Sequence, residues 1–100
     1  MKNELDTNNA IAVLFSLPTC SVCTPVNLQL KKAFDEKFNK ITYQKINLEE
    51  YEELKGKYLI FSVPTFILFF ENKEIIRVSG VFSVSELINK IDKVYSLMFE

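Results

Sequence analysis

Apolar residues gather into two short unbroken runs and recur at three- and four-residue spacing in two longer ones. That pattern lays out a chain of alternating strands and helices. Ala10 to Leu17 (AIAVLFSL) is a continuous apolar run without helical period, closed by Pro18, and reads as a strand buried on both faces. From Thr24 to Asn39, Val26, Leu30, Ala33, Phe34 and Phe38 recur at helical spacing with Lys31, Lys32, Asp35 and Glu36 between them. This is an amphipathic helix. Ile41 to Leu48 alternates as a strand would, and Glu49 to Tyr58 is charged and helix-favouring, with Gly56 expected to interrupt it. Glu49, Glu50, Glu52 and Glu53 suit a solvated helix start. Thr65 to Phe70 (TFILFF) is a second buried strand, Glu71-Asn72-Lys73 is turn-like, and Glu74 to Ser79 alternates again, so the pair predicts an antiparallel hairpin. Ser83-x-x-Glu86 is a capping-box pattern opening a helix to Met98, with Leu87, Ile91, Val94 and Met98 on one face.

The order β-α-β-α-β-β-α predicts an α/β fold, a central mixed four-stranded sheet flanked by helices. The first strand-helix-strand unit pairs in parallel through a right-handed crossover, and the hairpin adds antiparallel strands. No linker, repeat or low-complexity tract divides the chain, so residues 1–100 are expected to form a single domain, with 1–9 a loose arm or short helix.

Composition narrows the chemistry. Lys+Arg 12 against Asp+Glu 13 gives a net charge of -1, which lacks the basic footprint of a nucleic-acid binder. Histidine is absent, so Ser-His-Asp and Cys-His hydrolase sites and H-E-x-x-H zinc sites cannot be built from this chain. The only glycines, Gly56 and Gly80, are too far apart for a dinucleotide-binding or Walker A loop. The apolar run at Ala10 is far short of the ~20 residues of a membrane span. Glu4 and Asp6 precede it where a signal peptide carries positive charge, so the expectation is a cytoplasmic monomer with no membrane partner.

What remains is a C-x-x-C pair, Cys20 and Cys23, directly after a buried strand and at the opening of a helix. Helix N-terminal amides and the macrodipole favour an anion, so Cys20, read as the residue nearer the helix start, is expected to be the more acidic thiol. Two intervening residues let Cys23 reach Cys20 and resolve a mixed disulfide. Two other readings stand beside this one. The pair is half of a zinc or cluster site, which would need ligands from a second chain, or it is simply two buried cysteines.

Thr19-Cys20-Ser21-Val22-Cys23, the strand ending Tyr43-Gln44-Lys45-Ile46-Asn47, the segment Lys57 to Thr65 with Val63-Pro64-Thr65, and Val78-Ser79-Gly80 together resemble the thioredoxin family in order and spacing. The resemblance covers roughly residues 10 to 98 and lacks the family's usual first strand. It implies the thioredoxin fold and a thiol-disulfide oxidoreductase that reduces or exchanges protein disulfides. Cys20 would be the nucleophile, Cys23 the resolving thiol, and Pro64 a cis-proline facing them. Thr19, Ser21, Val22, Val63, Gly80 and Val81 would face the substrate. No cofactor beyond the Cys20-Cys23 dithiol is implied, and no metal. The partners would be disulfide-containing proteins and an upstream reductase or low-molecular-weight thiol. A redox-inactive interaction module is the alternative. Departures are specific: the family's tryptophan is Thr19, its Gly-Pro is Ser21-Val22, its helix proline comes later than Pro25, and its buried acid is Leu14. Lys45 matches the lysine near that acid. Turned inward it would be a substitute proton acceptor; turned outward, an ordinary surface lysine. Phe61 is a candidate partner contact if it is exposed.

Overall fold

A computed structural model describes residues 9–99, so the expectation for the N-terminal arm lies outside the described residues apart from Asn9. The elements are β1 (Ile11–Ser16), α1 (Cys23–Glu36), β2 (Thr42–Asn47), α2 (Glu53–Lys57), β3 (Thr65–Phe70), β4 (Lys73–Ser79) and α3 (Val84–Met98). The sheet order is β2-β1-β3-β4, with β1 parallel to β2 and antiparallel to β3, and β3 antiparallel to β4.

The central strands are the two continuous apolar runs, because both of their faces are covered. Ala10, Ala12 and Leu14 face one cluster with Leu30, Phe34 and Phe38 of the α1 region and Leu87 and Ile91 of α3. Ile11, Val13 and Phe15 face a second cluster with Leu54, Ile60, Ile67 and Phe69. Burying apolar surface on both sides of the sheet supplies the main stabilising term. The edge strands β2 and β4 are mostly exposed or half-buried, which is why only they among the strands keep charged residues.

Several boundaries differ from the sequence expectation. Helix α1 closes at Glu36 rather than Asn39, where the Lys37 N–H bonds to Ala33 O and Phe34 O. The chain must turn there for Thr42 N–H to reach Ala10 O at 3.1 Å and start β2 beside β1. Gly56 does not interrupt α2; it lies inside a helix only five residues long, which ends at Lys57. The capping box holds in one direction, since Ser83 accepts from the Glu86 N–H. The hairpin loop is Glu71-Asn72, with φ of 51° and 64°, the left-handed pair that a type I′ turn requires.

Strand β4 also departs from simple alternation. Leu68 pairs with Ile76 but Phe69 pairs with Glu74, so Ile75 is an extra, unpaired residue. This β-bulge resets the face on which the preceding residues lie. Glu74 and Arg77, which strict alternation would put on opposite faces, share one.

Candidate active site

Three segments meet at one end of the sheet. Strand β1 runs into Leu17-Pro18-Thr19-Cys20. Phe15 pairs with Thr65, so Val63-Pro64 lies beside the end of β1, and Thr65 pairs with Ser79, so Gly80 follows at the same end. The Gly80 N–H donates to Pro64 O at 3.0 Å, with Gly80 at φ +73°. A Cβ at Gly80 would meet nothing within 4 Å, so glycine is favoured there by the backbone conformation rather than by crowding.

Cys20 and Cys23 are joined by a disulfide, with Cα atoms 5.4 Å apart. The Cys20 N–H donates to Leu17 O at 3.0 Å and the Cys23 N–H to Cys20 O at 3.2 Å, a tight turn leading into α1. Here the sequence reading needs correction. The helix read from Thr24 begins one residue earlier, at Cys23, so Cys23 and not Cys20 is the cysteine nearer the helix start; Cys20 sits ahead of the helix on that turn. Cys20 is half-buried, while Cys23 is carried by the helix into the interior at 3% exposure. Pro25 falls in the first turn of α1, where its missing N–H costs no intrahelical bond.

Around the disulfide, Thr19, Ser21 and Val22 are exposed. The Val63-Pro64 bond is cis, with Val63 half-buried and Pro64 buried. Val81 is fully exposed, and Phe61 is 88% exposed. Phe61 stands between two clefts: one with Leu17, Leu48, Lys55, Ile60, Ser62 and Val63, the other with Leu59, Ser62, Thr65, Glu74, Arg77 and Ser79. Thr65 fixes the turn before β3 by donating its hydroxyl to Ser62 O at 2.6 Å.

Lys45 is not turned inward. It pairs in register with Leu14, but β2 is an edge strand and the lysine is exposed, so its ammonium reaches water. Leu14 is fully buried, as is Ala12 on the same face. Among the described residues, no group of three His, Cys, Asp or Glu side chains is placed to hold a metal ion.

The sequence reading missed a polar cluster. Arg77 donates from Nε to Glu74 Oε2 at 2.9 Å and from Nη2 to Glu74 Oε1 at 2.8 Å, a bidentate pair. The same guanidinium donates from Nη2 to Tyr58 O at 2.6 Å and from Nη1 to Leu59 O at 3.2 Å. Hydrogen bonds from Arg77 hold the Glu74 carboxyl below its usual range. The only sequence signal was an arginine inside a strand three residues after a glutamate.

The thioredoxin family model matches residues 1–93. A thioredoxin-like protein, YdfQ, of Bacillus subtilis is 32% identical over 85 residues, covering 85% of this chain and 75% of that protein. Thioredoxin H2 of Arabidopsis thaliana is 29% identical over 92 residues, covering 91% of this chain and 68% of that protein. The solved structure of thioredoxin 1 from Thermosipho africanus superposes with a TM-score of 0.81 at 28% identity, covering 90% of this chain and 99% of the other.

Proposed function

We infer the roles of the two cysteines from one premise: the chain belongs to the thioredoxin family and is a thiol-disulfide oxidoreductase. In the reduced protein the Cys20 thiolate attacks one sulfur of a substrate disulfide. That S–S bond breaks, the departing thiolate takes up a proton, and a mixed disulfide joins Cys20 to the substrate. The Cys23 thiolate then attacks the Cys20 sulfur and releases the second substrate thiol. Two electrons have passed to the substrate and the Cys20-Cys23 disulfide remains. An upstream reductase or a low-molecular-weight thiol returns it to the dithiol, so the pair is its own redox group and no added cofactor takes part.

The observation that carries this assignment is the difference in access between a half-buried Cys20 and a Cys23 buried at 3%. Only an accessible thiolate can meet a disulfide on another protein. The substrates are proteins, for which two features speak. Val63, next to the cis bond, has backbone groups suited to pair with an extended chain, and Val22, Phe61 and Val81 expose apolar surface at or beside the same end of the sheet. Thr19, Ser21 and Gly80 border this docking face. The setting is a reducing, cytoplasmic compartment in which the dithiol is regenerated.

Trapping tests the roles. Cys23→Ser should accumulate a mixed disulfide between Cys20 and a protein disulfide substrate, and Cys20→Ser should form none. Limited alkylation of the reduced protein near neutral pH should label Cys20 first. Preferential labelling of Cys23, or a trapped adduct on Cys23, would reverse the assignment.

A further inference from the structure

Phe61, 88% exposed, projects from the connection between α2 and β3. The chain leaves α2 at Tyr58, passes through Leu59 in the left-handed region at φ 54°, and dips into the core only at Ile60. Leucine has no preference for that conformation, so the surroundings must impose it. Two bonds do so. The Ile60 N–H donates to Lys55 O at 2.8 Å, and the Arg77 guanidinium takes the Tyr58 and Leu59 carbonyls from the side of the sheet. Arg77 can do this because Glu74 holds the guanidinium bidentately, and Glu74 lies on that face only through the bulge at Ile75. Bulge, ion pair and loop form one chain of cause ending at Phe61, whose ring borders the cleft of about 430 Å³ that Arg77 and Glu74 also line.

We propose that Arg77, oriented by Glu74, is a positioning residue for protein substrates: it fixes the Tyr58–Leu59 turn and so sets where Phe61 stands on the docking face. This rests on the reading that protein substrates dock at that end of the sheet. A small disulfide, which needs only the Cys20-Cys23 pair, does not depend on it. Lysine cannot replace the arginine, since one ammonium cannot span two carbonyls and a carboxylate in the fork geometry.

The test compares wild type, Arg77→Ala, Arg77→Lys, Phe61→Ala and the double alanine variant, with dithiothreitol regenerating the dithiol in the insulin assay and protein reduced beforehand and freed of dithiothreitol in the small-disulfide assay. The substrates are insulin, a protein disulfide, and dithiobis(nitrobenzoate), a small one. Arg77→Ala, Arg77→Lys and Phe61→Ala should each raise KM for insulin about tenfold at unchanged kcat, the loss of one aromatic anchor. Reduction of the small disulfide should stay at the wild-type rate, and an unchanged far-ultraviolet circular dichroism spectrum should show that the variants are folded. The double variant should be no worse than either alanine variant, because both remove the same contact. Additive losses, or equal slowing of both substrates by Arg77→Ala, would overturn the proposal. An unchanged insulin KM in Phe61→Ala would sink the docking-face reading and the proposal with it. A raised KM in Phe61→Ala beside a normal Arg77→Ala would sink the proposal alone.

Discussion

Position 14 shows how one side chain shapes the rate of a two-step exchange. Leu14 is wholly buried on the face of β1 that α1 covers, where the family carries a carboxylic acid. When Cys23 attacks the mixed disulfide its thiol must first lose a proton, and a buried thiol resists ionising where no group accepts that proton. Leucine accepts no proton, and Lys45, its register partner, is exposed at the sheet edge. Resolution of a preformed mixed disulfide should therefore be slow near neutral pH and quicken as the solution becomes alkaline. Leu14→Asp should accelerate that step at neutrality while lowering stability by about 1–3 kcal/mol, the cost of burying a polar group. Single-turnover release of the substrate thiol across pH measures it. Matching rates and pH profiles in the two proteins would show that position 14 has no part in the proton transfer.

At the scale of the element, the β3-β4 hairpin places a residue against its own preference. Its two-residue loop needs φ > 0 at both positions; Asn72 tolerates this and Glu71, at 51°, does not. Glu71→Asn should raise the melting temperature by several degrees, since about 1 kcal/mol shifts a domain of this size by roughly 4–8 °C. A thermal melt with no shift or a downward one would show that the turn bears no strain. The same hairpin marks how far sequence reading carries. Strands β1 and β3 were legible because burial on both faces writes itself as an unbroken apolar run, and α3 because its cap and stripe are local. The bulge at Ile75 was not, because Glu74 to Ser79 alternates as an ordinary strand and only pairing with β3 shows the extra residue. In the site, the C-x-x-C pair and Pro64 were legible as motifs. The outward Lys45 and the bonds from Arg77 to carbonyls 18 and 19 residues away were not. Those depend on neighbours that only the tertiary fold supplies.

For the molecule as a whole, the sheet separates two apolar clusters and carries the disulfide beyond the end of its strand β1. On one face Phe34 stacks on Tyr43 at 5.0 Å and meets Phe38 and Phe66, while the Tyr43 hydroxyl donates to Asn27 Oδ1 at 2.8 Å. Burial pushes the Tyr43 phenol well above its ordinary pKa, so it stays a neutral donor there. On the other face Leu54, Ile60 and half-buried Tyr51 and Tyr58 cover Val13, Phe15 and Ile67. Since β1 and β3 contribute side chains to both clusters, neither can unravel without exposing the other's floor, and the protein should unfold as one cooperative unit. Ile91 of α3 and Ile46 of β2 belong to different clusters and share no partner in either. Ile91→Val and Ile46→Val should each cost about 0.5–1.5 kcal/mol, and the double variant should lose their sum within about 0.5 kcal/mol. Urea unfolding should keep a single transition and an unchanged slope in all three, by far-ultraviolet circular dichroism and by tyrosine fluorescence. Insulin reduction well below the midpoint should be unaltered, because neither isoleucine belongs to the disulfide turn, the Val63-Pro64 segment or the Phe61 loop. A biphasic curve, or transitions that separate between the two probes in either variant, would show that the clusters are independent and that the sheet does not couple them.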